Sequence, residues 1–138
     1  MLTITREFGF DMGHCLPDHK GGCYRPHGHR YRLEVTLAGE RNVQGAERGM
    51  VMDYGRLKQV VEQHVISQLD HRFIMAADDP RLDMMRATFD DGDVLVSSGP
   101  PTAEALAEHI AVTLAEVLPE LVEVTLWETP TCRATYRV

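Results

Sequence analysis

The stretch His27-Gly28-His29-Arg30-Tyr31-Arg32-Leu33-Glu34-Val35-Thr36-Leu37-Ala38 alternates without a break. His27, His29, Tyr31, Leu33, Val35 and Leu37 share one parity, and Gly28, Arg30, Arg32, Glu34, Thr36 and Ala38 the other. A period of two belongs to a strand with one buried face, because successive side chains point to opposite sides. Two imidazoles therefore open this strand on its apolar face. Upstream, residues 3–14 alternate in part, with Phe8, Phe10, Met12 and His14 on one parity and Gly9, Asp11 and Gly13 on the other. Between the two runs, residues 15–26 hold Pro17, Gly21, Gly22 and Pro26, which mark a loop. If the two strands pair as a hairpin around it, His14 meets His27 and His29.

Downstream, Gly39 to Gly49 is polar and turn-like. From Tyr54 to Leu69 the period lengthens: Leu57, Val60, Val61, His64, Val65 and Leu69 follow the spacing of an amphipathic helix, and Asp53 is placed to cap it. Residues 75–100 are less regular, with a short helix expected near Asp79–Ala87 and an extended segment at Val94–Ser97. Thr102 caps a second helix over about Ala103–Leu118, whose stripe is Leu106, Ala107, Ile110, Ala111, Leu114, Val117 and Leu118, and Pro119 helps end it. Val122, Val124 and Leu126 mark a third long strand; Ala134, Tyr136 and Val138 mark a fourth. The expectation is an α+β domain spanning 1–138: a four-stranded antiparallel sheet in the order ββααββ, with two helices on one face. Four strands leave open edges, so an oligomer that pairs them is expected.

The chain has 138 residues, 43% hydrophobic and 25% charged, an ordinary globular balance. Its net charge of −7 argues against non-specific nucleic-acid binding and against an anionic membrane surface. No apolar run approaches the roughly 20 residues that cross a bilayer, and the first residues lack the features of an export signal. A cytoplasmic location is the expectation. Three cysteines (Cys15, Cys23 and Cys132) are an odd number, which favours free thiols over staples.

A lone His-x-His is most often a pair of solvated side chains. A third histidine at the end of a neighbouring strand turns the balance towards metal, because three neutral imidazoles with one open position are the ligand set of a catalytic zinc site. Cys23, four residues before His27 in a Gly-rich loop, offers a thiol for ligation, as a base or as a nucleophile; the alternative is a buried, inert thiol. Cys15 and Cys132 are assigned to packing. Asp70-His71 follows the first helix and reads either as a proton-transfer unit or as a histidine favoured by a helix C-terminus. Neighbouring side chains do not easily bond each other, so the partner of His71 is expected elsewhere. Glu128, at a strand end, is ordinarily a solvated carboxylate; the alternative is that it holds a guanidine-like edge by two hydrogen bonds. His19, His64 and His109 read as structural or solvated.

Phe10-x3-His14, Cys23-x3-His27-Gly28-His29, Leu69-Asp70-His71, Pro101-Thr102-x-Glu104, Trp127-Glu128-Thr129 and Tyr136 together resemble the 6-pyruvoyl-tetrahydropterin synthase superfamily, and most of all its 6-carboxy-5,6,7,8-tetrahydropterin synthase branch in queuosine biosynthesis. The resemblance implies a tunnelling fold in which subunits pair their sheets into a barrel, usually as a hexamer with sites at subunit interfaces. It implies Zn²⁺ on His14, His27 and His29, Cys23 as the proton-abstracting base, and Asp70 with His71 as a proton relay. Glu128 would anchor the pterin and join the relay, and Thr102 and Glu104 would lie near the pterin pocket. The implied reaction is that of a zinc-dependent lyase. It converts 7,8-dihydroneopterin triphosphate to 6-carboxy-5,6,7,8-tetrahydropterin with release of acetaldehyde and triphosphate. Lys20, Arg25 and Arg30 are candidates for the triphosphate. The alternatives are pyruvoyl-tetrahydropterin synthesis from the same substrate, or a non-catalytic zinc or pterin binding module. The sequence departs from the family pattern at Ile74-Met75 and in a longer 76–100 segment, for which a lid or an interface element is expected.

Overall fold

The computed structural model describes residues 1–138. Strands β1 (Leu2–His14) and β2 (His27–Gly39) form a long antiparallel hairpin, paired from Leu2 opposite Gly39 to His14 opposite His27. Residues directly opposite in such a ladder project to the same side. Phe10 and Tyr31, Met12 and His29, and His14 and His27 thus share one face, while Asp11 and Arg30 share the other. The first face is the core face: Phe10, Met12, Tyr31, Leu33, Val35 and Leu37 are all buried there.

Helix α1 (Tyr54–Val61) continues through a π-helical segment (Glu62–Ile66) into a last turn, α2 (Ser67–Leu69). Its start is fixed as the sequence predicts, with Asp53 Oδ1 accepting from the N–H groups of Gly55 and Arg56. Strand β3 (Arg72–Ala76) follows, then α3 (Leu82–Thr88), β4 (Val94–Ser97), α4 (Ala103–Ala115), β5 (Leu121–Thr129) and β6 (Cys132–Arg137). Leu57, Val61, Val65 and Leu69 from the first helical run, and Leu106, Ala107, Ile110, Ala111 and Leu114 from α4, bury against the hairpin and Val124 and Leu126 of β5.

The sheet differs from the expected four antiparallel strands. It has six, in the order β4-β3-β1-β2-β5-β6, and β3 joins β1 in parallel, as does β4 with β3. The element order is therefore ββαβαβαββ once the continuous run α1 to α2 is taken as one helix. The extra strands escape a periodicity argument because β3 is short and Ile74, Met75 and Ala76 are all buried. Parallel strands covered on both faces read as continuous apolar runs. The third helix, α3, belongs to a second, small core of Cys15, Met75, Leu82 and Val94. Ile74 and Met75 are thus strand and core residues. β3 pairs β1 only at Met12–His14, so the outer edge of β1 from Leu2 to Phe10 has no strand partner, nor has the outer edge of β6.

Candidate metal centre and active site

The hairpin register sets the three histidines in a triangle. Ring centroids of His14, His27 and His29 lie 4.6, 5.1 and 5.0 Å apart, and their ligand atoms fall within 4.8 Å of one another. His14 is almost wholly buried, at 1% exposure. Its Nδ1 faces the Pro101 carbonyl oxygen at 2.8 Å, and the Nδ1 of His27 faces the Arg25 carbonyl oxygen at 2.6 Å. A carbonyl only accepts, so both Nδ1 atoms must carry the proton. When both rings are neutral each presents a bare Nε2 lone pair, and these two atoms stand 3.1 Å apart. Two facing lone pairs repel unless a cation lies between them. His29 Nε2 is also buried and makes no hydrogen bond. The donor set is therefore suited to a metal ion such as zinc: three nitrogens pre-aimed, two of them held by backbone carbonyls in the way that outer groups usually orient metal-binding histidines.

Burial lowers the pKa of His14 against the opposing pull of the Pro101 carbonyl, and burial lowers that of His29 against the Glu128 carboxylate. Both shifts favour the neutral ring, the form that ligates metal. Glu128 Oε1 sits 3.6 Å from His29 Nε2, too long for a hydrogen bond but close enough to place the carboxylate beside the imidazole cluster. Burial pushes the Tyr31 phenol well above its usual range, and its ring packs against His29 and Phe10.

Cys23 occupies a single 3₁₀ turn, Gly22–Tyr24, and is partly buried. Its carbonyl oxygen accepts from the Leu16 N–H at 2.8 Å. The thiol is not part of the imidazole triangle. Cys15 is buried as expected, but Cys132 is exposed at the start of β6, so its assignment to packing is corrected.

Asp70 and His71 form a second cluster. His71 adopts φ 60°, the one non-glycine residue with positive φ, and this left-handed geometry folds its ring back so that Nδ1 lies 2.9 Å from Asp70 Oδ2. The partner of His71, expected elsewhere, is thus the carboxylate of its own neighbour, met by close approach. Asp70 Oδ1 accepts from the Asp11 N–H, and the His71 N–H donates to the Asp11 carbonyl. The Asp11 N–H and the His71 ring hold the Asp70 carboxyl below its ordinary pKa. The Asp11 carboxylate near this cluster is on the open face, where Arg30 also binds it at 2.8 Å. Bare backbone at Gly13 and Gly28 leaves an open groove of about 470 Å³ there, lined by His29 as well as by Asp11, His71 and Arg72. Within one chain the ligand atoms of Asp11, Asp70 and His71 and those of the three imidazoles thus form two distinct groups, with His29 the residue that borders both regions.

Thr102 caps α4, its hydroxyl accepting from the Ala105 N–H at 3.3 Å, and Glu104 is exposed in the first turn. Neither joins the imidazoles, whereas the preceding Pro101 does so through its carbonyl. A Cβ at Gly28 would meet the Met12 carbonyl oxygen at 3.4 Å, an ordinary contact, so strand crowding alone does not require glycine there. His64 and His109 line a separate cavity of about 480 Å³ between the helices. Sequence reasoning missed the orienting carbonyls of Pro101 and Arg25, since backbone groups carry no residue signature.

A family model described as 6-pyruvoyl tetrahydropterin synthase matches residues 3–138. The chain belongs to the 6-pyruvoyl tetrahydropterin synthase family. A relative from Haemophilus influenzae named 6-carboxy-5,6,7,8-tetrahydropterin synthase is 34% identical over 99% of both chains. One of the same name from Synechocystis is 37% identical over 99% of this chain and 93% of its own. A Halobacterium salinarum protein named as a probable 6-carboxy-5,6,7,8-tetrahydropterin synthase is 38% identical over 94% of this chain and 82% of its own. Among solved structures, Caenorhabditis elegans 6-pyruvoyl tetrahydropterin synthase superposes with a TM-score of 0.74 at 26% identity, covering 99% of this chain and 95% of that one. An uncharacterized Wolinella succinogenes protein shares the fold, with a TM-score of 0.82 at 24% identity over 99% and 97% of the two chains. The six-stranded mixed sheet with its helical layer is thus the fold of this tetrahydropterin synthase family.

Proposed function

We propose that this chain is a zinc-dependent 6-carboxy-5,6,7,8-tetrahydropterin synthase acting in queuosine biosynthesis. It takes 7,8-dihydroneopterin triphosphate and releases acetaldehyde and triphosphate. The observation that carries the chemistry is the facing pair of Nε2 atoms of His14 and His27, 3.1 Å apart, with both Nδ1 atoms committed to carbonyls and the His29 Nε2 buried beside them without a partner. The choice of product is supported by the names of the curated relatives.

His14, His27 and His29 would hold the zinc. When bound, it supplies a Lewis acid that polarises the oxygens of the substrate side chain. Cys23 removes a carbon-bound proton as thiolate. Asp70 fixes the His71 ring through Nδ1, which leaves Nε2 free to accept or return a proton. Glu128 holds the guanidine-like edge of the pterin by its two oxygens, and Thr102 and Glu104 lie towards that pocket. Lys20, Arg25 and Arg30 are the candidates for the triphosphate.

Since the relay and the imidazoles are separate groups within a chain, a complete site needs His71 from one copy beside the imidazoles of another. The unpartnered edges of β1 and β6 supply the means, as strands that close a barrel between copies, in a homo-oligomer proposed to be a hexamer. No helix is long and apolar enough to cross a membrane, and a cytoplasmic location fits the substrate. Incubation of the zinc-loaded protein with dihydroneopterin triphosphate, followed by mass analysis, tests the reading. Acetaldehyde with a 6-carboxypterin supports it. A pyruvoyl pterin without acetaldehyde assigns the sister reaction, and an unchanged substrate leaves only a binding module.

A further inference from the structure

Asp79 follows β3 and is 4% exposed, with its carboxylate fully enclosed. A buried anion must be met by donors, and four reach it. Oδ1 accepts from the Arg81 backbone N–H at 2.9 Å and from Arg81 Nε at 2.9 Å. Oδ2 accepts from Arg81 Nη2 at 2.8 Å and from the Cys15 thiol at 3.5 Å. One edge of the guanidinium is thereby gripped by both carboxylate oxygens. The other edge is free to act elsewhere, and Arg81 Nη1 donates to the carbonyl oxygen of Tyr24. The guanidinium also lies over the Tyr24 ring, with Cζ 3.9 Å from its centroid. Tyr24 is the residue after Cys23 and closes the same turn. The Cys23 carbonyl is held by Leu16 from within the loop. Two successive carbonyls around the thiol are therefore fixed, one locally and one by a side chain far along the sequence.

We propose that Arg81, oriented by Asp79, is a positioning residue for the Cys23 thiol, and that this is the task of the segment between β3 and α3. The inference rests on the role given to Cys23 above. A lysine would keep the charge but present one compact ammonium, which cannot hold a carboxylate with one edge, a carbonyl with the other and a ring with its face.

The test compares Arg81→Lys and Asp79→Asn with the parent protein, all zinc-loaded. A misplaced group near the chemistry costs up to about 100-fold in rate. The expected result is a kcat lower by about 10- to 100-fold, KM for dihydroneopterin triphosphate within about twofold and zinc content unchanged. In the same samples, alkylation of Cys23 by iodoacetamide is followed by mass against the exposed Cys132 as internal reference, and the Cys23 to Cys132 ratio should rise as the turn loosens. An unchanged ratio in both variants overturns the proposal, whatever happens to turnover. So does an unchanged kcat accompanied only by a lower melting temperature, which would make the ion pair merely structural. If Cys23→Ala itself retains full turnover, the assigned base is wrong, whereas the alkylation ratio still decides whether Arg81 holds the turn. Should Arg81→Lys fail to fold, Asp79→Asn, which keeps an acceptor for Arg81, provides the same two readouts.

Discussion

His71 Nδ1 lies 2.9 Å from the carboxylate of its own neighbour, Asp70, in a backbone geometry with φ 60° that few non-glycine residues adopt. The strain is retained because two hydrogen bonds hold the turn, the His71 N–H to the Asp11 carbonyl and the Asp11 N–H to Asp70, beside the close contact of Asp70 with His71 itself. Strain held in place by its surroundings marks functional positions. Here it sets an exposed imidazole against a carboxylate.

The relay therefore responds to small changes. Asp70→Asn leaves the ring without its carboxylate, and His71→Ala removes it. General acid–base groups contribute about 10²- to 10⁴-fold, so His71→Ala should lower kcat by at least about 100-fold and Asp70→Asn by somewhat less. Steady-state kinetics with parallel zinc analysis checks this. An equal loss of zinc would place the effect at the metal centre instead.

Gly13 stands opposite Phe73, and a Cβ there would come within 2.5 Å of the ring. Gly13→Ala must displace Phe73 or the last residues of β1, one of which is His14. Overpacking of this kind costs about 1–3 kcal/mol. Denaturant unfolding should show that loss, and zinc affinity should fall with it. Gly22→Ala, where nothing lies within 4 Å of the added carbon, is the matched control for crowding.

Burial pushes the Cys15 thiol up to about 11. For a group whose folded pKa is raised, the neutral form stabilises the fold below the unfolded value of 9.0, and that stability is lost as pH rises from there through about 11. At one pKa unit to about 1.4 kcal/mol, the loss amounts to roughly 3 kcal/mol at most. Alkaline melts of the parent should therefore fall more steeply over this range than those of Cys15→Ala, after correction for the packing lost. At neutral pH, Cys15 should resist iodoacetamide while the exposed Cys132 reacts.

Much of this architecture follows from local pattern. The alternation of Phe10, Met12 and His14 and of His27, His29 and Tyr31 is enough to pair the hairpin and converge three rings, and Asp53 and Thr102 cap the helices as their positions suggest. The parallel strand β3 was not legible, since five residues with Ile74, Met75 and Ala76 buried in succession have no two-residue period. β4 appeared as an extended segment, but nothing local told that it would pair with β3. At the site, the side chains were legible and their supports were not. The Pro101 and Arg25 carbonyls depend on tertiary placement, the close approach of Asp70 and His71 depends on one unusual φ, and the reach of Arg81 to Tyr24 spans two distant loops.

X-ray absorption at the zinc edge of the purified, zinc-loaded protein addresses the central claim most directly. Three imidazole nitrogens at about 2.0–2.1 Å with one further light-atom ligand, at one zinc per chain, are predicted. A sulfur shell at about 2.3 Å would make Cys23 a ligand instead of a base, and a protein that retains no zinc at all would contradict the account outright.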